Sequence, residues 1–135
     1  MYRKLVSVLL GLTMVGLAGC KRDAEINAVL ADFDSFTKEM VQKVEAQPTS
    51  AGVDEAQKFL ESKREDLTAK WNSIKGARSF QVSAETQQRM GESLEKNFKS
   101  VAALQMKHMS KSLSDTAFKS KLEKLLNDYK ALYPM

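Results

Sequence analysis

Cysteine occurs once in the 135 residues, at Cys20, which excludes an intrachain disulfide framework and any zinc site built on several thiolates. Histidine also occurs once, at His108, so clusters of several imidazoles are excluded too. Proline stands only at Pro48 and Pro134, and three of the six glycines (Gly11, Gly16, Gly19) precede residue 20. The chain has no glycine-rich phosphate loop, no HExxH, no GxSxG and no EF-hand spacing. It also lacks an alternating strand pattern of useful length and an internal repeat. Charge is nearly balanced, with Lys+Arg 21 against Asp+Glu 17, far from the excess of a dedicated nucleic-acid binder. What remains is 43% hydrophobic and 28% charged, the composition of one small globular domain.

The first twenty residues, MYRKLVSVLLGLTMVGLAGC, carry the most specific pattern in the chain. Arg3 and Lys4 form a positive start, and Leu5 to Ala18 is an apolar stretch of 14 residues. As a helix that stretch is about 21 Å long at 1.5 Å per residue, short of the roughly 30 Å hydrocarbon core of a bilayer. It reads as a removable export signal. Leu17-Ala18-Gly19-Cys20 closes it and resembles the lipobox of bacterial lipoproteins.

The resemblance implies cleavage before Cys20, a diacylglyceryl group on its sulfur and acylation of the new amino terminus. Chemically this is reasonable, because a thiolate is the best alkyl acceptor among side chains. Several acyl chains, each buried CH₂ contributing about 0.8 kcal/mol, make a durable anchor where one chain does not. Lys21 follows the cysteine, where the enterobacterial pattern for inner-membrane retention has Asp, so the resemblance points to the outer membrane. The expected organisation is a signal peptide over 1–19, a lipidated terminus and short tether over 20–22, and a helical domain over 23–135. Loss of Arg3 and Lys4 takes the net charge from +4 to +2, and lipidation consumes the only thiol.

Few breakers and many Lys, Glu, Ala, Leu and Gln residues make the mature chain helical. The first helix is expected from about Asp23 to Ala46, with Ile26, Val29, Leu30, Phe33, Phe36, Met40, Val41 and Val44 on one face. Asp34–Lys38 and Glu39–Lys43 have ion-pair spacing on it. Pro48 ends this helix. A second begins near Val53 and stops at Gly76, and Phe80 and Val82 in the following connection are expected against the end of the domain. Ser83 is the N-cap of a third helix reaching about Lys111, lined by Met90, Leu94, Phe98, Val101 and Met109 with Gln105 mid-stripe. Asp115 caps a fourth, carrying Phe118, Leu122, Leu125, Leu126, Tyr129 and Leu132. The fold class is all-α, an antiparallel bundle of four helices, with three longer helices as the fallback because no Gly or Pro marks the break at Leu113-Ser114-Asp115.

Candidate chemistry is sparse. Met106 and Met109 flank His108 at i,i+3 spacing and would suit a soft metal such as Cu(I), but neither a second histidine nor a nearby cysteine supports the set. The ordinary expectation for His108 is a partly buried ring making one hydrogen bond. Gln105, central in an apolar stripe, is expected to be buried and to fix helix register. Lys96, Lys99, Lys107 and Lys111 form a basic stripe with Lys119, Lys121 and Lys124 nearby, either a patch for anionic envelope material or simply a solvated face. Trp71 and the phenylalanines stand at core spacing.

These features imply a lipid-anchored, non-enzymatic envelope protein that binds another protein, with no cofactor beyond the covalent lipid and no nucleic-acid partner. The alternative is a bundle that holds a small ligand or soft metal around Gln105, His108 and Met109. The two readings differ physically: a partner-binding module exposes an apolar patch, whereas a ligand binder encloses a cavity.

Overall fold

The computed structural model describes residues 17–77 and 82–134, with side chains from Arg22 onward. The signal segment before Leu17 and the connecting residue Phe80 lie outside the described residues. Among the described residues every regular element is α-helical: α1 Leu17–Ala46, α2 Ser50–Ile74, α3 Ala84–Lys107, α4 Met109–Ser114 and α5 Thr116–Lys130. Five helices replace the expected four, because the third is interrupted at His108 and its last turns become α4.

The caps follow local chemistry. Ser83 and Asp115 act as anticipated, their side-chain oxygens accepting from the amides of Thr86 at 3.1 Å and Phe118 at 2.9 Å. Thr49 does the same for Gly52 at 3.2 Å, so α2 starts at Ser50, three residues earlier than the first apolar position suggested. Gly52 is required there: a Cβ would lie 1.7 Å from the Gln47 carbonyl oxygen, which the turn folds over it. α2 ends just before Gly76, with the Lys75 amide bonded to Trp71 O, and among the described residues no glycine adopts positive φ.

Cross-helix contacts give the topology. α1 and α2 form an antiparallel hairpin, joined by Arg22 to the Ser73 carbonyl at 3.0 Å, Lys70 to Asp32 at 2.8 Å and Phe36 stacked on Phe59 at 5.2 Å. α1 and α3 run parallel, since Asp23 meets Ser83, Asp34 meets Ser93 and Asn97, and Glu45 meets Lys107. α2 and α5 are parallel too, through Asp54–Lys121, Gln57–Asp128 and Trp71–Pro134. Consecutive long helices therefore alternate in direction, as two hairpins laid side by side with like directions adjacent across the pair.

The core lies between the hairpins. Ile26, Phe33, Met40 and Val44 of α1 are at most 2% exposed and meet Leu60, Ile74, Leu104, Phe118, Leu125 and Tyr129 from the other helices. Full burial of such a side chain is worth about 1.5–3 kcal/mol, so these rows hold the helices together. The α3 seam differs from its apolar stripe. Its buried residues are Thr86, Ser93, Asn97, Val101 and Leu104, whereas Met90, Leu94 and Phe98 are half-buried. The helix is rotated by much of the roughly 100° that one residue subtends. Asp34 of α1 accounts for the rotation: its Oδ1 accepts from Ser93 Oγ at 2.6 Å and Asn97 Nδ2 at 2.8 Å, in place of the ion pair anticipated with Lys38.

Candidate functional site

The first candidate is the polar seam in the core. The Thr37 and Tyr129 hydroxyls are 2.6 Å apart, and Tyr129 and Tyr133 share a second hydroxyl contact at 3.0 Å. Burial pushes both phenols above their ordinary range, so both stay neutral. A groove of about 320 Å³ between α1 and α3 runs alongside and is lined by Asp34, Lys38, Val41, Lys96 and Asn97. The groove is open, and its most buried polar groups are already bonded to one another. That arrangement ties α1 to α3 through Asp34 and α1 to α5 through Thr37 and Tyr129, fixing their register.

The second candidate is the elbow at His108. Here α3 stops with His108 at φ −101° and ψ 17°, its amide bonded to Leu104 O at 3.3 Å. The imidazole points inward, edge-on to Phe118 with centroids 5.8 Å apart, and its Nε2 is buried without a hydrogen-bond partner, 3.8 Å from Glu45. Among the described residues Nε2 therefore does not supply the one hydrogen bond expected of this partly buried ring. Beyond His108, α4 buries none of its six residues. Met106, Met109 and Leu113 are 70%, 57% and 82% exposed, the large exposed hydrophobics among the described residues.

On a helical repeat Met109 and Leu113 sit one turn apart on a single face, flanked by exposed Ser110 and Ser114. The elbow thus presents an exposed apolar ridge. It lies beside the carboxyl end of α1, as Glu45 shows by bonding Lys107.

This geometry corrects two expectations. Gln105 is exposed, so it neither occupies the core nor sets register, and Met109 faces solvent rather than lining the interior. Both follow from the rotation of α3, which turns Leu104 and His108 inward in their place. The Met106, His108, Met109 set is not drawn together: the ring faces Phe118 while the thioethers lie outside. Among the described residues no group of three or more His, Cys, Asp or Glu side chains converges as a metal site. With Gln105 and Met109 exposed, these two and His108 do not together enclose a cavity among the described residues.

The basic stripe is largely paired. Lys99 meets Glu95, Lys107 meets Glu45, Lys121 meets Asp54, Lys124 meets Asp128 and Lys119 lies 3.9 Å from Glu123. Lys111 holds its ammonium 5.2 Å above the Phe118 ring. Lys96 borders the α1–α3 groove. At the opposite end of the molecule, Asp23 is held below the usual carboxylate range by the Ser83 amide. The residues of the lipobox, Leu17, Ala18, Gly19 and Cys20, have their backbone within the first turns of α1, and their side chains lie outside the described residues. Sequence reasoning missed the ridge because Leu113 was taken only as part of a break; the signal available was an apolar pair at i,i+4 beside that break. No family model, curated protein or solved structure matches the chain.

Proposed function

We propose that the chain is a bacterial lipoprotein of the cell envelope, held to the outer membrane by acyl chains on Cys20, whose helical bundle binds another envelope protein without catalysis. The pattern of Arg3 and Lys4, the apolar stretch Leu5 to Ala18 and the sequence Leu17-Ala18-Gly19-Cys20 carries this reading. The four long helices α1, α2, α3 and α5 act as the bundle, with α4 as an elbow on it. α1 runs without a break from Leu17 to the buried Ile26, so a lipid on Cys20 would join the body through less than two helical turns, about 9 Å. The same helix separates Cys20 from Glu45, and hence from the elbow, by about 37 Å at 1.5 Å per residue. The apolar ridge at the elbow is the feature that distinguishes a partner-binding module from a ligand-binding one, and it favours the former. Tethering then raises the ridge's effective concentration for partners in the same thin layer.

Cell fractionation tests the anchor. The wild-type protein is expected to pellet with the envelope and to carry the added mass of its acyl chains, while Cys20→Ser is expected to lose both. A Cys20→Ser protein that still pellets in full at an unchanged mass overturns the reading. In-cell crosslinking of the wild type, read by mass spectrometry, is expected to recover the same envelope partner repeatedly.

A further inference from the structure

Asp34 and Lys38 stand at ion-pair spacing on α1, yet the folded chain does not pair them. The carboxylate is drawn to α3, where its Oδ1 accepts from both Ser93 and Asn97, and its Oδ2 takes no hydrogen bond among the described residues. Lys38 is left without a carboxylate partner among those residues, whereas Lys43 on the same helix pairs with Glu39 at 3.7 Å. Lys96 of α3 is in the same position, although Lys99 and Lys107 beyond it meet Glu95 and Glu45. Both unmatched lysines line the groove of about 320 Å³ between α1 and α3, together with Asp34, Asn97 and Val41. Asn97 is 3% exposed; its Nδ2 is spent on Asp34, and its Oδ1 has no partner among the described residues. One groove therefore gathers unspent groups of both signs.

We infer that this groove binds an acidic α-amino acid. The ligand's ammonium meets Asp34 Oδ2 and Asn97 Oδ1, its two carboxylates meet Lys38 and Lys96, and its methylenes lie along Val41. Two lysines against one aspartate leave the lining one positive charge in excess, and such a ligand carries one negative charge in excess. Ammonium-to-carboxylate contacts of this kind are stronger than neutral hydrogen bonds. The volume lies at the small end of the roughly 300–1,000 Å³ of small-molecule sites, which suits a single amino acid. A dicarboxylate without an ammonium would set an anion against Asp34, and an amino acid with one carboxylate would leave a lysine unmatched. The groove of about 200 Å³ between α1 and α2 offers no such set, because Lys70 there already bonds both Asp32 and Asp66.

This site goes beyond partner binding and depends on neither the lipid on Cys20 nor the ridge at the elbow. The test is isothermal titration calorimetry of the full-length protein in detergent with L-glutamate. Glutarate, which lacks the ammonium, and 4-aminobutyrate, which lacks the α-carboxylate, are the controls. L-Glutamate is expected to bind saturably at one site, at least tenfold tighter than either control, and more weakly as salt is raised. Amide resonances should shift at residues 34–42 and 96–100. The double variant Lys38→Gln, Lys96→Gln should weaken binding at least tenfold without moving the thermal midpoint, since neither lysine has a carboxylate partner to lose.

No binding of L-glutamate overturns the inference, as do shifts confined to other residues. Glutarate binding as tightly as L-glutamate overturns it too, because the lysines alone then attract any dianion and Asp34 takes no part. So does 4-aminobutyrate binding equally well, or a double variant that binds like the wild type. The ligand series uses the unaltered protein, so it decides the question even where the double variant folds poorly. A lipidated protein that crosslinks an envelope partner and ignores L-glutamate keeps the proposed function and loses only this site.

Discussion

The two ends of this molecule use apolar residues in opposite ways. Towards Pro134, Phe33 lies 4.8 Å from Tyr133 and 6.2 Å from Trp71, Phe98 packs against both Tyr129 and Tyr133, and the Trp71 indole N–H donates to the Pro134 carbonyl. Each ring there has several neighbours, and the polar edges of the cluster find acceptors. At the elbow, Met106 near the end of α3 and Met109 and Leu113 of α4, a helix with no buried residue, reach into solvent. The contrast separates two jobs that are often entangled. One end holds the fold together, and the other is free to meet something else.

The most forceful way to break the comparison is Phe33→Ala. Phe33 is 2% exposed and bridges α1 to both α2 and the carboxyl-terminal segment. Truncation leaves a cavity that the surrounding rings cannot fill, at an expected cost of about 3–5 kcal/mol. Urea denaturation should show the midpoint falling by a large share of its value. A loss under about 1 kcal/mol would mean that the aromatic end does not anchor the fold as described.

A smaller effect is expected at the seam between α2 and α5. The Lys124 ammonium, through its hydrogen bond, holds the Asp128 carboxyl below the usual carboxylate range, with help from Gln57 and the charge of Arg64. A depressed pKa in the folded state means that this stabilisation is present above the ordinary value near 3.9 and is lost as pH falls through the lower, folded value. Asp128 keeps 23% of its side chain exposed, so Asp128→Asn should cost only about 0.5–1 kcal/mol at neutral pH. The wild-type and variant stability curves should converge well below pH 4, where both side chains are neutral. A gap that persists undiminished at that pH would assign the loss to packing instead of charge.

Much of the fold was legible because it is written locally. Ser83 and Asp115 are N-caps by residue type, and the faces of α1 and α5 repeat at helical spacing. What escaped depends on partners remote in the chain. The orientation of α3 is set by Asp34, 59 and 63 residues before Ser93 and Asn97, and no periodicity of α3 alone reveals that its polar row faces inward. The parallel pairing of α1 with α3 likewise shows only in contacts between residues 60 and 62 positions apart, Asp23 with Ser83 and Glu45 with Lys107. The break at His108 lacks glycine or proline and coincides with the ring turned onto Phe118, a residue ten positions further on. Cys20 is the reverse case. Its meaning is wholly sequential, in the company of Leu17, Ala18 and Gly19, and helix packing adds nothing to it.

The smallest expected effect on stability is the sharpest test of the division between the two ends. Leu113 is 82% exposed, so Leu113→Ser removes almost no buried surface. The remaining cost is the lower helix propensity of serine, a few tenths of a kcal/mol, and the total should stay within about 0.5 kcal/mol of the wild type in denaturant unfolding. Binding of an environment-sensitive apolar dye to the folded protein should fall at the same time, because the ridge loses its most exposed member. A loss of about 2 kcal/mol would be incompatible with a bare ridge, since only a covered leucine can lose that much. The elbow would then be part of the core in solution, and the contrast with the aromatic end would disappear.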